Sequence, residues 1–239
     1  MSLGVVCALV GGPPNRPDLR AETRTALAAQ QPEPQHVLEW AGEDEAAGVA
    51  AALATGADWI WLLDGVTVPD GGALAAFAAG LELLAALPEP LILAGKVIDA
   101  TGALHPDVLP RHEIFEKQRT VDACERGLVH LRAAPSGSLL IRREAFARFG
   151  PLRTDLPARW SAFEFTARVL QLWEDTGYLV PSSVAVRATS PRRARRSGAL
   201  RTRARLLAGS SWTTTEKLWE GFLVAEEAVK AARGPARRA

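Results

Sequence analysis

The chain contains few of the residues that build disulfide frameworks or metal clusters. It has two cysteines, Cys7 and Cys124, and four histidines among 239 residues. The two cysteines are far apart and show no metal-ligand spacing, so a disulfide-stabilised fold is excluded. This cysteine usage is typical of a reducing compartment, and we expect a cytoplasmic location.

Long hydrophobic runs are also missing. No apolar stretch reaches the roughly 18–20 residues that a transmembrane helix requires. Residues 1–10 lack the charged region that begins a signal peptide. We therefore expect neither a membrane-spanning segment nor a secretion signal.

Net charge is close to zero, at +1, which argues against general binding of nucleic acid. Residues 187–205 nevertheless hold eight arginines and no acidic residue. Three interpretations of this tract stay open: a solvated surface, a site for a diphosphate or an anionic acceptor, and contact with an anionic membrane. The third would place the protein peripherally at the inner membrane face, and it draws on apolar residues of a predicted amphipathic helix: Trp212, Leu218, Trp219, Phe222 and Leu223.

Hydrophobic residues make up 48% of the chain and charged residues 23%, a composition that supports a packed core. Up to residue 100, short apolar runs alternate with helical patterns. The predicted strands are Val5–Val10, Gln35–Trp40, Trp59–Leu63 and Leu91–Ile98, and the predicted helices cover about residues 19–30, 43–55 and 73–87. This alternation predicts an α/β fold with a mostly parallel sheet flanked by helices.

The pattern changes after residue 100. Residues 103–135 are polar and are predicted to be irregular. The elements predicted next are a strand at Ser138–Ile141, a helix at Arg143–Phe149, a helix within Pro157–Trp173 and a strand at Tyr178–Val186. A last helix, about Thr214–Arg233, follows a Thr-Thr-Thr-Glu capping pattern.

The most informative stretch is Trp59–Asp70, where a buried-strand pattern ends on a single acid, Asp64. Ligands of α/β proteins bind at the carboxyl ends of the strands. A carboxylate at that edge can hold a metal ion or a ribose hydroxyl. The simpler alternative is that Asp64 caps a loop.

Several short motifs follow one another in a recognisable order. They are Pro14–Pro17, Glu39, Asp44, Leu62–Asp64, Gly137–Phe146, Gly150–Leu152, Trp160–Arg168, and Gly177 and Tyr178 with Pro181. In this order the chain resembles the inverting glycosyltransferases of family 2, which have the GT-A fold, and is most similar to galactofuranosyl- and rhamnosyltransferase-like members. The resemblance implies a domain at residues 1–187, with a nucleotide-binding half (1–100) and an acceptor half (101–187). A basic segment and C-terminal helix follow at 188–239.

This resemblance implies transfer of a sugar from a nucleotide-diphosphate donor to a hydroxyl acceptor, such as a cell-wall precursor or a lipid-linked glycan. The residues implied to bind the nucleotide sugar are Arg16, Glu39, Asp44, Asp64 and Lys96. Asp64 would also hold a divalent cation, Mn²⁺ or Mg²⁺. Glu164 is the candidate catalytic base, and Arg187 the candidate group at the leaving diphosphate.

Three positions depart from the family pattern. Val66 stands at the third position of the Asp-x-Asp motif, where a second metal ligand is expected. Ala162 stands at the position of the catalytic base, and Arg187 near that of a metal-assisting histidine. An arginine can stabilise a diphosphate without a metal, and Glu113 or Glu116 would be substitutes for the base.

These departures keep rival interpretations open. A non-catalytic homologue would bind a nucleotide, a glycan or a partner enzyme as a scaffold. A nucleotidyltransferase is a further rival, for which Gly11, Gly12 and Arg16 are a partial match to the expected loop. At single residues, Glu164 can form a helix ion pair with Arg168, and Glu39 can be a solvated loop acid.

Overall fold

The computed structural model describes residues 2–11, 17–40, 45–105, 127–156 and 158–187. The chain divides into two units, residues 1–191 and 192–239, and all described residues lie in the first. The strands are β1 (Val6–Val10), β2 (His36–Glu39), β3 (Trp59–Leu63), β4 (Thr67–Pro69), β5 (Ile92–Ile98), β6 (Val129–His130), β7 (Leu139–Arg142) and β8 (Gly177–Arg187). The helices are α1 (Pro17–Ala28), α2 (Glu45–Ala54), α3 (Ala73–Leu83), α4 (Arg143–Phe149) and α5 (Ala158–Leu172).

The eight described strands form one sheet. Its strands run in the order β2-β1-β3-β7-β5-β8-β4, and β6 pairs with β8. The pairings give β1, β2, β3, β5 and β8 a common direction, whereas β7 is antiparallel to both of its neighbours. The five parallel strands therefore end at one edge of the sheet, termed the carboxyl edge below.

Every residue of the central strands β1 and β3 is apolar and buried, so these strands are covered on both faces of the sheet. Side chains alternate between the faces of a strand. In β3, Ile60 and Leu62 join one apolar cluster, and Trp59, Trp61 and Leu63 join the other. Helices α2 and α5 contribute to the first cluster and α3 to the second, so the sheet lies between two helical layers.

The α/β fold with a mostly parallel sheet is confirmed. The predicted bounds of β3 and of α4 are those observed, and Gly150 ends α4 with a φ of 79°. Helices α1 and α3 end earlier than predicted, at Ala28 and Leu83.

Two short strands were not predicted. β4 has three residues and β6, within the segment predicted to be irregular, has two. Both pair with β8, so their extended conformation depends on a strand distant in sequence. The predicted C-terminal helix lies outside the described residues. Among the described helices, none is long and apolar enough to cross a membrane.

Candidate functional site

Asp64 lies at the carboxyl edge, directly after β3, and two side chains hold its carboxylate. The hydroxyl of Thr67 donates to Oδ1 at 2.5 Å, and Nη1 of Arg187 forms an ion pair with Oδ2. Thr67 and Arg187 are direct partners in the β4–β8 ladder. Strand pairing thus brings both of these side chains to Asp64.

The ion pair is only partly exposed to solvent. The side chains of Arg187 and Asp64 keep 13% and 15% of their accessible surface. Coulombic attraction is stronger there than on an open surface, because less water screens it. Nε of Arg187 is buried without a hydrogen-bond partner among the described residues, so this guanidinium has donor capacity that the described protein does not use.

The described residues around Asp64 do not fit a divalent cation. Such a cation needs several oxygen ligands, yet the arginine already lies against Asp64, and Val66 is a buried apolar residue. In the described ranges, no group of three or more Asp, Glu, His or Cys side chains is placed to hold a metal. The guanidinium, a fixed positive charge, lies against Asp64, the residue that the resemblance implied as a metal ligand.

Glu45 is a candidate site residue that the sequence analysis did not identify. It is the first residue of α2 and is 1% exposed. Burial raises the pKa of Glu45 to about 8; the nearby Ser136 hydroxyl opposes the rise and the Asp64 carboxylate adds to it. Neither carboxyl oxygen has a hydrogen bond of regular geometry to a described residue.

A sequence signal for Glu45 existed in the periodicity of α2. The buried residues of this helix are Glu45, Gly48, Val49 and Ala52, which is the i, i+3, i+4, i+7 spacing of one helix face. The acid therefore lies on the same face as the apolar residues. Its position beside Asp64 depends on the tertiary fold.

Glu39, the predicted nucleotide reader, ends β2 and faces two arginines of α1. Its carboxylate lies 3.7 Å from Nη1 of Arg20 and 3.2 Å from Nε of Arg24. It is therefore an ion-paired residue with one-third of its side chain exposed. The next residue, Trp40, packs its indole directly against Gly11 at the end of β1, which fixes the edge beside Glu39.

Glu164 is buried in α5 and forms an ion pair with Arg168, with Nε 3.1 Å from Oε1. Arg168 also donates to the carbonyl oxygens of Phe149 and Pro151. This is the helix ion pair considered as the alternative to catalysis. Ala162, at the expected base position, is fully buried within the larger apolar cluster.

The remaining predicted residues have separate positions. Lys96 lies inside β5, opposite Val184 of β8 and next to an irregularity in the strand register; it is half-buried. Arg16 and Asp44 lie outside the described residues, as do Glu113 and Glu116. The structure thus brings together Asp64 and Arg187, and adds Thr67, Ser136 and Glu45 to them.

Among the solved structures similar to this chain are those of glycosyltransferases. Staphylococcus aureus TarS, residues 1–349, has a TM-score of 0.56 and 11% identity, over 89% of this chain and 68% of that one. The same protein in complex with UDP gives 0.55 and 10%, with the same coverage. GalNAc-T7 with UDP, GalNAc and Mn²⁺ gives 0.56 and 11%, over 90% of this chain and 49% of that one.

The chain has the GT-A glycosyltransferase fold. Identities of 10 and 11% extend the likeness to the fold alone. No protein-family model matches the sequence, and no curated protein matches it. The cluster around Asp64 lies at the carboxyl edge, the edge where ligands of open α/β sheets generally bind.

Proposed function

We propose that this protein binds a nucleoside diphosphate sugar, of the UDP-linked class, at the carboxyl edge and transfers the sugar to a hydroxyl acceptor. The carrying observation is the cluster of Asp64, Thr67 and Arg187 at this edge of a GT-A fold. Support comes from two solved structures of proteins with the same fold, both of which contain UDP. A cell-wall precursor or lipid-linked glycan is the proposed acceptor.

Arg187 is the proposed group at the diphosphate. In the transfer, the acceptor oxygen bonds to the anomeric carbon, the bond from this carbon to the phosphate oxygen breaks, and the nucleoside diphosphate leaves with the electron pair. A guanidinium can stabilise this charge by bidentate hydrogen bonds. Because Arg187 is paired with Asp64, the diphosphate has to compete with that carboxylate. The role proposed for Asp64 is to hold the arginine in place.

The acceptor proton needs a base, and Glu164 is the proposed one. Its carboxylate is buried and bound to Arg168, so proton transfer requires this pair to open. The same pair supports the second candidate function, a nucleotide- or glycan-binding homologue without transferase activity. Detection of a released nucleoside diphosphate in the presence of an acceptor distinguishes the two functions.

Calorimetric titration with UDP-, GDP- and dTDP-sugars, with and without Mn²⁺, tests donor binding. We expect the affinity for UDP-sugars to be independent of the metal and to fall about tenfold or more in Arg187→Ala, because a charge-assisted hydrogen bond is lost. Arg148→Ala is the matched control, since Arg148 forms an ion pair with Glu144 within α4. Absence of binding to every donor would refute the proposal.

Peripheral contact of residues 188–239 with an anionic membrane is a separate proposal, supported by the arginine-rich composition of residues 187–205. Flotation with vesicles of phosphatidylglycerol at low salt should carry the protein upward, and high salt should release it. A protein that stays at the bottom of the gradient at low salt would show that the basic segment is only solvated.

A further inference from the structure

Buried polar atoms without a hydrogen-bond partner concentrate at the carboxyl edge. In the part of the chain that the structure describes, nine side-chain nitrogen or oxygen atoms are of this kind. Five belong to residues at or beside this edge: Nε of Arg20, Nε1 of Trp40, both oxygens of Glu45 and Nε of Arg187. Native proteins satisfy most buried polar groups, so such a concentration indicates that a ligand supplies the missing partners.

Glu45 is the residue of this set with two unsatisfied buried atoms. Its side chain is 1% exposed, and both oxygens lack a partner among the described residues. Asp64 acts on it electrostatically, and the Ser136 hydroxyl lies close to it. Burial of a carboxyl group whose oxygens lack hydrogen-bond partners costs free energy that burial of an apolar side chain does not.

The charges around Glu45 restrict the chemistry of a ligand group that can bind it. Glu45 has no positive charge that could hold a phosphate, and a cation would be repelled by Arg187. A hydroxyl group both donates and accepts hydrogen bonds. It can therefore satisfy Glu45 whether the carboxyl group is protonated or ionised.

We propose that Glu45 binds a hydroxyl group of the carbohydrate held at the carboxyl edge and is a specificity-determining residue of this site. The inference rests on the proposed function. In a nucleoside diphosphate sugar, the diphosphate lies between the ribose and the transferred sugar. An acid beside the site proposed for the diphosphate, at Asp64 and Arg187, is therefore next to hydroxyl groups of one of these two rings.

The Glu45 oxygens are covered, so a ligand group reaches them only if a neighbouring side chain moves. Asp64 and Arg187 keep 15% and 13% of their side-chain surface, whereas the Glu45 oxygens are covered. Binding of the diphosphate to Arg187 would separate its guanidinium from Asp64. We expect this separation to give the hydroxyl group access to Glu45, which would couple recognition of the hydroxyl to recognition of the diphosphate.

Calorimetry with a graded set of probes tests the inference. The probes are inorganic pyrophosphate, UDP, 2′-deoxy-UDP, 3′-deoxy-UDP and UDP-glucose, and the proteins are wild type, Glu45→Ala and Glu45→Gln. Glu82→Gln, which changes an exposed acid of α3, is the control. Glu45→Ala should leave pyrophosphate binding unchanged and weaken UDP-glucose about tenfold or more, with a smaller loss in Glu45→Gln.

The probes also identify which ring Glu45 contacts, the ribose or the transferred sugar. If Glu45 binds the ribose, UDP and UDP-glucose weaken together and one deoxy-UDP no longer responds to the substitution. If it binds the transferred sugar, UDP is unaffected and only UDP-glucose weakens. Either result supports the proposal.

Other results would overturn it. Unchanged affinity of both variants for all probes would make Glu45 a structural residue, while the proposed function would stand. Equal weakening of pyrophosphate would assign Glu45 to the diphosphate instead of a hydroxyl. Failure of every probe to bind wild type would refute the proposed function and this inference together. If Glu45→Ala does not fold in a thermal melt, the near-isosteric Glu45→Gln carries the comparison.

Discussion

At the scale of single residues, the candidate site combines an ion pair with a buried carboxyl group. Asp64 has a fixed cation, Arg187, as its partner, whereas Glu45 has no such partner among the described residues. Removing one member of a partly buried ion pair leaves the other uncompensated, which generally destabilises a protein more than the pair stabilises it. Variants of Arg187 therefore need a stability measurement beside every binding measurement.

The raised pKa of Glu45 predicts a pH-dependent stability. Its folded pKa of about 8 lies above the ordinary value of 4.5, so the folded state binds the extra proton between these values. Stability should therefore fall as pH rises from about 4.5 to 8, by on the order of a few kcal/mol in total. Glu45→Gln should remove this fall, and become progressively more stable than wild type as pH rises.

Chemical denaturation at pH 5, 7 and 8.5 measures this effect. The exposed Glu82 serves again as the comparison, and Glu82→Gln should follow the wild-type curve. Parallel pH profiles for wild type and Glu45→Gln would contradict the assigned burial of this group.

At the scale of elements, the carboxyl edge is shaped by close contacts between strand ends and helices. A Cβ atom on Gly11 would lie 2.0 Å from the ring of Trp40, the residue after β2, and a Cβ atom on Gly48 would lie 3.0 Å from the Cβ atom of Trp40. Helix α5 is hydrogen-bonded to the segment before β7, because Thr166 of α5 contacts the backbone of Ala134. The contacts of Trp40 and of Thr166 help to position the carboxyl edge without adding a charged group to it.

Substitution of Gly11 should destabilise the edge. A Cβ atom there would lie 2.0 Å from the Trp40 ring, so the indole or the backbone must move. We expect Gly11→Ala to lower the free energy of unfolding by about 1–3 kcal/mol, as for other overpacked sites. Gly71→Ala, where a Cβ would meet no atom within 4 Å, should be nearly neutral, and equal effects of the two substitutions in urea denaturation would contradict this packing.

Thr166 of α5 provides a second test of element packing. Its hydroxyl accepts from the backbone N–H of Ala134 at 2.9 Å and lies 2.9 Å from the carbonyl oxygen of the same residue. Thr166→Val keeps the shape but leaves a buried N–H unsatisfied, and should cost about 1–3 kcal/mol. The exposed Thr25 donates only within its own helix, so Thr25→Val should change stability by less than about 0.5 kcal/mol. Similar costs for both would refute the role of Thr166.

At the scale of the whole molecule, the sequence predicts those features of the fold that are determined by residues close together in the chain. The apolar run of β3 and the Gly150 stop of α4 are local signals, and both elements have their predicted bounds. The direction of β7, the strands β4 and β6, and the burial of Glu45 depend on pairings between distant segments. Asp64 and Arg187 were predicted separately, from motif order, but their ion pair spans 123 residues and follows only from the β4–β8 ladder.

A crystal structure of the protein with UDP would show whether Arg187 binds the diphosphate. We expect the diphosphate at the carboxyl edge, within hydrogen-bonding distance of the Arg187 guanidinium, and a hydroxyl-bearing ring next to Glu45 if the ribose is the ring that Glu45 binds. Arg187→Ala crystals soaked in UDP should show weak or absent density for the diphosphate. UDP bound elsewhere on the protein, or bound at this edge without contact to Arg187, would refute the role proposed for Arg187.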